Sequence, residues 1–176
     1  MCFVDAATKT YLEELGGMNM FVVHKDGHLE TPSLTGNILP GVTRRSLIQL
    51  AEDKGHDVVE TMIKLDDLLD QIKSGEVTEV FACGTAAIIT PIGRFKSEKF
   101  DVTVADGGSG ELTMELRNEL HGIQLGEIDD PYNWLRTDGR DPSALFRGMR
   151  RAWSGTAPPV LPRRPSRPNR ILVTLP

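Results

Sequence analysis

The chain has 176 residues, 39% hydrophobic and 26% charged, enough for one domain with a core of its own. No apolar run approaches the roughly 18 residues that cross a bilayer, and Met1-Cys2-Phe3-Val4-Asp5 has no basic stretch leading into an apolar one, so neither a membrane span nor a secretory signal is expected. Residues 139–176 carry eight arginines and one acid, Asp141, which leaves residues 1–138 with −12 of the formal net −5; so acidic a body excludes nucleic acid as the expected partner.

In chain order, Phe3-Val4-Asp5 reads as a short strand, and the carboxylate pair Glu13-Glu14 precedes a Gly16-Gly17 turn. Phe21–His24 and Leu29–Thr31 read as strands around the turn Lys25-Asp26-Gly27-His28. Ile38-Leu39-Pro40-Gly41-Val42-Thr43 is a glycine-containing turn that opens into a helix over Arg44–Lys54, with Leu47, Ile48, Leu50 and Ala51 on one side and Gly55 as its stop. Val58–Ile63 predicts a strand. Asp66–Ser74 predicts a second helix, capped by Asp66 and stopped by Gly75. Val77–Cys83 and Ala86–Pro91 are apolar strands parted by Gly84-Thr85, and Phe100, Val102 and Val104 alternate as a half-buried strand does. Glu111–His121 predicts a helix presenting Leu112, Leu116 and Leu120 and ending at Gly122.

From Gly139 the pattern dissolves. Seven of the eleven prolines fall there, so 139–176 is expected to be a disordered tail, dispensable for folding, with at most one weak helix over 143–153. The two cysteines, Cys2 and Cys83, are far apart and form no CxxC. That suits a reducing cytoplasm and offers neither a disulfide framework nor a cysteine zinc site; no metal ligand set is read from the sequence.

Three stretches carry candidate chemistry. At Gly41-Val42-Thr43 the free N–H groups and partial positive charge of a helix start can hold a phosphate, with the Thr43 hydroxyl as donor; Thr43 as an ordinary helix cap is the alternative. At Gly84-Thr85-Ala86 a hydroxyl and little bulk would admit a ligand against the main chain; a tight core turn is the alternative. At Glu14, an inward carboxylate could pair with the protonated ring nitrogen of a pyridine cofactor.

Taken together, Glu14-Leu15-Gly16-Gly17-Met18-Asn19-Met20-Phe21, then Leu39-Pro40-Gly41-Val42-Thr43-Arg44, then Glu79-Val80-Phe81-Ala82-Cys83-Gly84-Thr85-Ala86 with Pro91 resemble the branched-chain aminotransferases of the fold-type-IV pyridoxal-phosphate family. Thr113, Leu116 and Arg117, then Gly122-Ile123-Gln124, Gly126-Glu127 and Trp134 are similar to that family's C-terminal end, so the resemblance covers residues 3–138. It implies an α/β (mixed α+β) fold, the large C-terminal domain of that enzyme, incomplete and spanning 1–138. It implies pyridoxal 5'-phosphate as cofactor, transamination of leucine, isoleucine and valine with 2-oxoglutarate, and a homodimer in the complete enzyme. Within the family, a D-amino acid aminotransferase or aminodeoxychorismate lyase is the alternative; outside it, a non-catalytic module for a phosphorylated ligand.

Carried over by residue, the resemblance gives Glu14 to the pyridine nitrogen, and Gly41 and Val42 backbone with the Thr43 hydroxyl to the phosphate. It makes Thr85 a further phosphate ligand, the Ala86 backbone a partner of the substrate carboxylate, and Gly17 a wall of the pocket beside the ring. The departures concern catalysis. The family's Schiff-base lysine lies well ahead of the glutamate, whereas thirteen residues precede Glu14 here and Lys9 is too close. The phosphate-gripping arginine and the aromatic pocket wall belong to the same earlier part, so the chain by itself is expected to be inactive. A redox CxxC found in some relatives is replaced by Ala87 and Thr90.

Overall fold

The structure, a computed structural model, describes residues 1–136 and the backbone of 172–174. The described residues divide into two compact units, 1–117 with 172–174, and 118–136.

In the first unit, β1 (Cys2–Val4) and β2 (Leu12–Leu15) pair antiparallel. A five-stranded sheet follows, in the order β5-β4-β3-β6-β7, from β3 (Asn19–His24), β4 (Leu29–Pro32), β5 (Val58–Thr61), β6 (Val77–Gly84) and β7 (Ile88–Pro91). The helix α1 (Val42–Asp53) is the crossover that lets β4 and β5 run parallel; the other pairings are antiparallel. After β5 comes α2 (Leu65–Ser74), and after β7 come β8 (Arg94–Lys96) and β9 (Asp101–Thr103), a hairpin joined at its edge by β10 (Leu172–Thr174). The helix α3 runs over Glu111–Leu125.

All six residues of β3 are buried, as a central strand covered on both faces requires. Its alternate residues Met20 and Val22, with Val80 and Ala82 of β6, share one core with Leu68, Leu69 and Ile72 of α2 and with Leu12, Leu15, Ile63 and Phe95. Phe21 and Phe81, opposite one another in register, point to the other face and stack at 5.1 Å with their rings 11° apart. α1 contacts β5 and β6 and buries Leu47, Leu50 and Ala51.

The boundaries depart from sequence expectation where tertiary bonds intervene. α1 begins at Val42, two residues early, with Gly41 as its N-cap and no capping side chain; Thr43 therefore lies in the first turn and is not the cap. α2 begins at Leu65, whose N–H bonds the Thr10 carbonyl (2.9 Å), so Lys64 occupies the N-cap and Asp66 lies inside the first turn. Gly75, left-handed at φ 77°, ends that helix as expected. β5 stops at Thr61 and β7 starts at Ile88. α3 continues through the buried Gly122, where an added Cβ would meet Ile128. Three residues of the expected disordered tail, Leu172–Thr174, are extended and pair with β8: an apolar, proline-free run suits a free strand edge. The rest of the tail, including the expected helix over 143–153, lies outside the described residues.

The start of α3 is held from the sheet. The Glu79 carboxylate on β6 accepts the N–H of Leu112 (3.1 Å), the N–H of Thr113 (2.8 Å) and the Thr113 hydroxyl (2.6 Å). An anion on a helix's unsatisfied N–H groups and dipole is a cap supplied from outside. Gly110 is obligatory beside it, because a side chain there would overlap the Glu79 carboxyl. In the second unit, Tyr132 stacks on Trp134 (4.1 Å, 16°) and Asp130 accepts the N–H of Leu135 (2.7 Å).

Candidate functional site

The Gly16-Gly17 turn links β2 to β3 with both residues left-handed, φ 59° and 89°, and Leu15 and Met18 exchange backbone hydrogen bonds across it (2.8 and 3.1 Å). Two positive φ angles in a two-residue turn are why glycine stands twice here. A Cβ on Gly17 would meet nothing within 4 Å, so that face of the turn is open.

Antiparallel pairing of β3 with β6 sets Asn19 opposite Cys83. The Gly-Gly turn and the Gly84-Thr85 turn consequently meet, with Met18 against Gly84: an added Cβ there would stand 3.3 Å from Met18 Cγ. Thr85, Ala86 and Ala87 form an exposed turn closed by Ile88, which pairs with Gly84 at φ 58°. A β-branched residue in that region is strained by about 1–3 kcal/mol.

The third stretch is tied to the same sheet end by two side chains. Buried Asn19 donates from Nδ2 to the Leu39 carbonyl (2.9 Å), and Glu14 Oε1 accepts the Leu39 N–H (2.7 Å). Leu39 is thus gripped at both backbone atoms. Gly41 N–H also donates to the Leu39 carbonyl (2.8 Å), and Asn19 Oδ1 fills the space a Cβ on Gly41 would need. Immediately beyond, Val42 is exposed and Thr43 buried; as first-turn residues they have N–H groups with no intrahelical acceptor.

Glu14 of β2, Gly17 of the turn after it, Gly41, Val42 and Thr43 at the start of α1, and Thr85 and Ala86 after β6 are therefore grouped at one end of the sheet. The Gly41 N–H is bonded within its loop, and one oxygen of Glu14 positions Leu39. An adjoining cavity lined by Tyr11, Leu12, Glu13, Pro32, Asn37 and Ile38 contains none of these residues.

Two positioning residues were quoted in the sequence motifs without a role. Asn19 is one; a buried amide directly after a Gly-Gly turn was the available signal. Arg44 is the other: 4% exposed, it donates to the Pro32 carbonyl (3.1 Å) and pairs with Glu60 (2.6 Å), fixing α1 against β4 and β5. Its charge partly offsets the burial that pushes the Cys83 thiol up to about 12, so Cys83 is a neutral core residue rather than a nucleophile.

The comparisons with known proteins bear on the family and the fold. The family model for amino-transferase class IV matches residues 5–95. The chain is 48% identical over 136 residues to a branched-chain-amino-acid aminotransferase of Mycolicibacterium smegmatis, covering 76% of this chain and 37% of that protein. It is 44% identical over 137 residues to a probable branched-chain-amino-acid aminotransferase of Streptomyces coelicolor, covering 78% and 38%. Among solved structures, it superposes on the branched-chain amino acid aminotransferase of Escherichia coli with a TM-score of 0.62 at 34% identity, over 76% of this chain and 40% of that one. The chain thus spans about 37% of the length of the mycobacterial relative. No helix among the described residues is long and apolar enough to cross a membrane. With the family model covering more than half of the sequence and the structural match carrying the same mixed α/β architecture, this chain belongs to the class IV aminotransferase family.

Proposed function

We propose that residues 1–138 are part of a pyridoxal 5'-phosphate-dependent aminotransferase of branched-chain amino acids, and that they supply the phosphate-binding and ring-nitrogen side of its site. The observation that carries this is the double grip of Asn19 and Glu14 on Leu39, which joins two separate sequence stretches at the sheet end where β3–β6 pairing brings the third. The residues suit that cofactor: a helix start with unsatisfied N–H groups for a phosphate, a hydroxyl at Thr43 uncommitted to capping, and a carboxylate oxygen for a pyridinium. When bound, the cofactor ring would act as an electron sink for electrons released at the substrate's α-carbon.

In this reading Val42 and Thr43 hold phosphate oxygens through N–H groups and the Thr43 hydroxyl, aided by the helix dipole. Thr85 donates from the opposite turn. Glu14 keeps a proton on the ring nitrogen, because an adjacent carboxylate favours the charged form. The Ala86 N–H orients the substrate carboxylate, and Gly17 leaves room beside the ring. The α-proton needs a base, and the family's lysine has no match among the lysines of this sequence. The 176-residue polypeptide assayed alone should therefore show no transamination of leucine, isoleucine or valine with 2-oxoglutarate above a buffer-plus-cofactor control. The homodimer and the cytoplasmic location belong to the same proposal.

The test of the binding site is a titration with pyridoxal 5'-phosphate followed by absorbance and equilibrium dialysis. Thr43→Ala and Thr85→Ala should each weaken binding by about 1–2 kcal/mol, a hydrogen bond to a charged acceptor. Binding untouched by both changes would place the phosphate elsewhere. Equal affinity for simple phosphate esters would favour a non-catalytic phosphate-binding module instead.

A further inference from the structure

The β3–β4 hairpin turns through Lys25-Asp26-Gly27, with Gly27 left-handed at φ 87°. Across this three-residue loop His24 stands opposite His28, its N–H bonded to the His28 carbonyl (3.0 Å). Their imidazoles stack, centroids 4.0 Å apart and planes 9° apart. Glu30 reaches both: Oε2 lies 3.6 Å from His24 Nε2 and Oε1 4.0 Å from His28 Nε2.

One atom here is unexplained. His24 is 4% exposed, and its Nε2 is buried with no hydrogen-bond partner. Buried polar atoms are normally satisfied, and the exceptions call for a missing water or ion. This one faces a second imidazole nitrogen and a carboxylate, and one ligand atom from each of the three side chains lies within 4.8 Å of the others.

We propose that His24, His28 and Glu30 form a binding site for a zinc-class divalent cation. Two imidazoles and one carboxylate select zinc or a similar transition metal over calcium or magnesium, which take oxygen ligands. Ligand atoms about 2.0 Å from a tetrahedral ion stand about 3.3 Å apart, so the 3.6 and 4.0 Å carboxylate-to-imidazole gaps would have to close by a few tenths of an ångström. The rings must tilt out of their stack, because their nitrogen lone pairs lie in the ring planes. Asp26 Oδ1 already holds His28 Nδ1 at 2.6 Å. A carboxylate on one ring nitrogen directs the other at the metal. His56 Nδ1, 2.8 Å from the Gly27 carbonyl, steadies the loop backbone. His28 and Glu30 side chains are 28% and 24% exposed, which gives an ion a way in and water the fourth position.

The site lies at the far end of β3 from Asn19, about 17 Å along the strand at 3.3–3.4 Å per residue. The ion would cross-link the two strands of the hairpin and has no part in the proposed transamination.

The full chain, stripped of metal by chelator and dialysis, should bind one equivalent of Zn2+ by calorimetry. Co2+ should give visible absorption typical of a four-coordinate nitrogen and oxygen site. His28→Gln and Glu30→Gln, both partly exposed and so tolerable to the fold, should each weaken Zn2+ binding at least tenfold and abolish the rise in melting temperature that Zn2+ gives the parent chain. His121→Gln should bind as the parent does. The proposal is overturned if the parent binds Zn2+ no better than the Glu30→Gln chain, if Zn2+ leaves its melting temperature unchanged, or if His121→Gln loses the binding.

Discussion

Replacing Phe81 by alanine should destabilise the fold by about 3–5 kcal/mol, the range for truncating a buried aromatic. Phe81 has no exposed surface, sits in β6 between β3 and β7, and stacks on Phe21. Its ring cannot be replaced by local collapse, because the sheet holds its neighbours by backbone hydrogen bonds on both sides. Phe21→Ala should cost a similar amount. The double variant should cost less than the two together, since each single change already forfeits the stacking contact. Urea denaturation followed by circular dichroism gives all three values. Total stability of domains is about 5–15 kcal/mol, so a single loss of this size could leave the chain largely unfolded. A loss below about 1 kcal/mol would mean that the α1 face of the sheet is not a packed core.

The parts of the fold legible in the sequence were those governed by local pattern. The buried side of α1, with Leu47, Leu50 and Ala51, announced itself by period, β6 by its apolar run, and Gly75 by its position after the last helical turn. The starts of α1 and α2 were read one or two residues late, while that of α3 at Glu111 was read correctly; the distant partners that hold the last two were not legible. The Thr10 carbonyl takes the Leu65 N–H, and Glu79 takes the first N–H groups of α3. No pattern within α2 or α3 encodes either. The candidate site divides the same way. Its residue types stood in the motifs, yet their convergence depends on Asn19 reaching a carbonyl twenty positions away. The hairpin carrying His24 and His28 was read correctly as two strands and a turn. That the two imidazoles and Glu30 converge follows from cross-strand register, which spacing alone does not reveal.

The Asn19 clamp makes the sharpest prediction about the site. Gly41 has φ −63° and ψ 139°, angles any residue adopts, so alanine there carries no backbone strain. Its only obstacle is Asn19 Oδ1, which stands where the Cβ must go. Gly41→Ala should therefore cost about 1–3 kcal/mol, as overpacking does, and should displace Leu39 from its bond to Asn19. Asn19→Ala should cost about 0.5–1.5 kcal/mol for a different reason, the loss of a part-buried hydrogen bond to the Leu39 carbonyl. Combined, the two changes should be less harmful than their sum by about 0.5–3 kcal/mol, because removing the amide opens the space the new methyl needs. Both stability and pyridoxal 5'-phosphate affinity should show this coupling, since the Leu39–Gly41 loop leads directly into Val42 and Thr43. Strict additivity in denaturation would show that Gly41 is constrained by something other than Asn19. Coupling in stability without any change in cofactor affinity would separate the clamp from the binding site and remove the main support for the phosphate assignment.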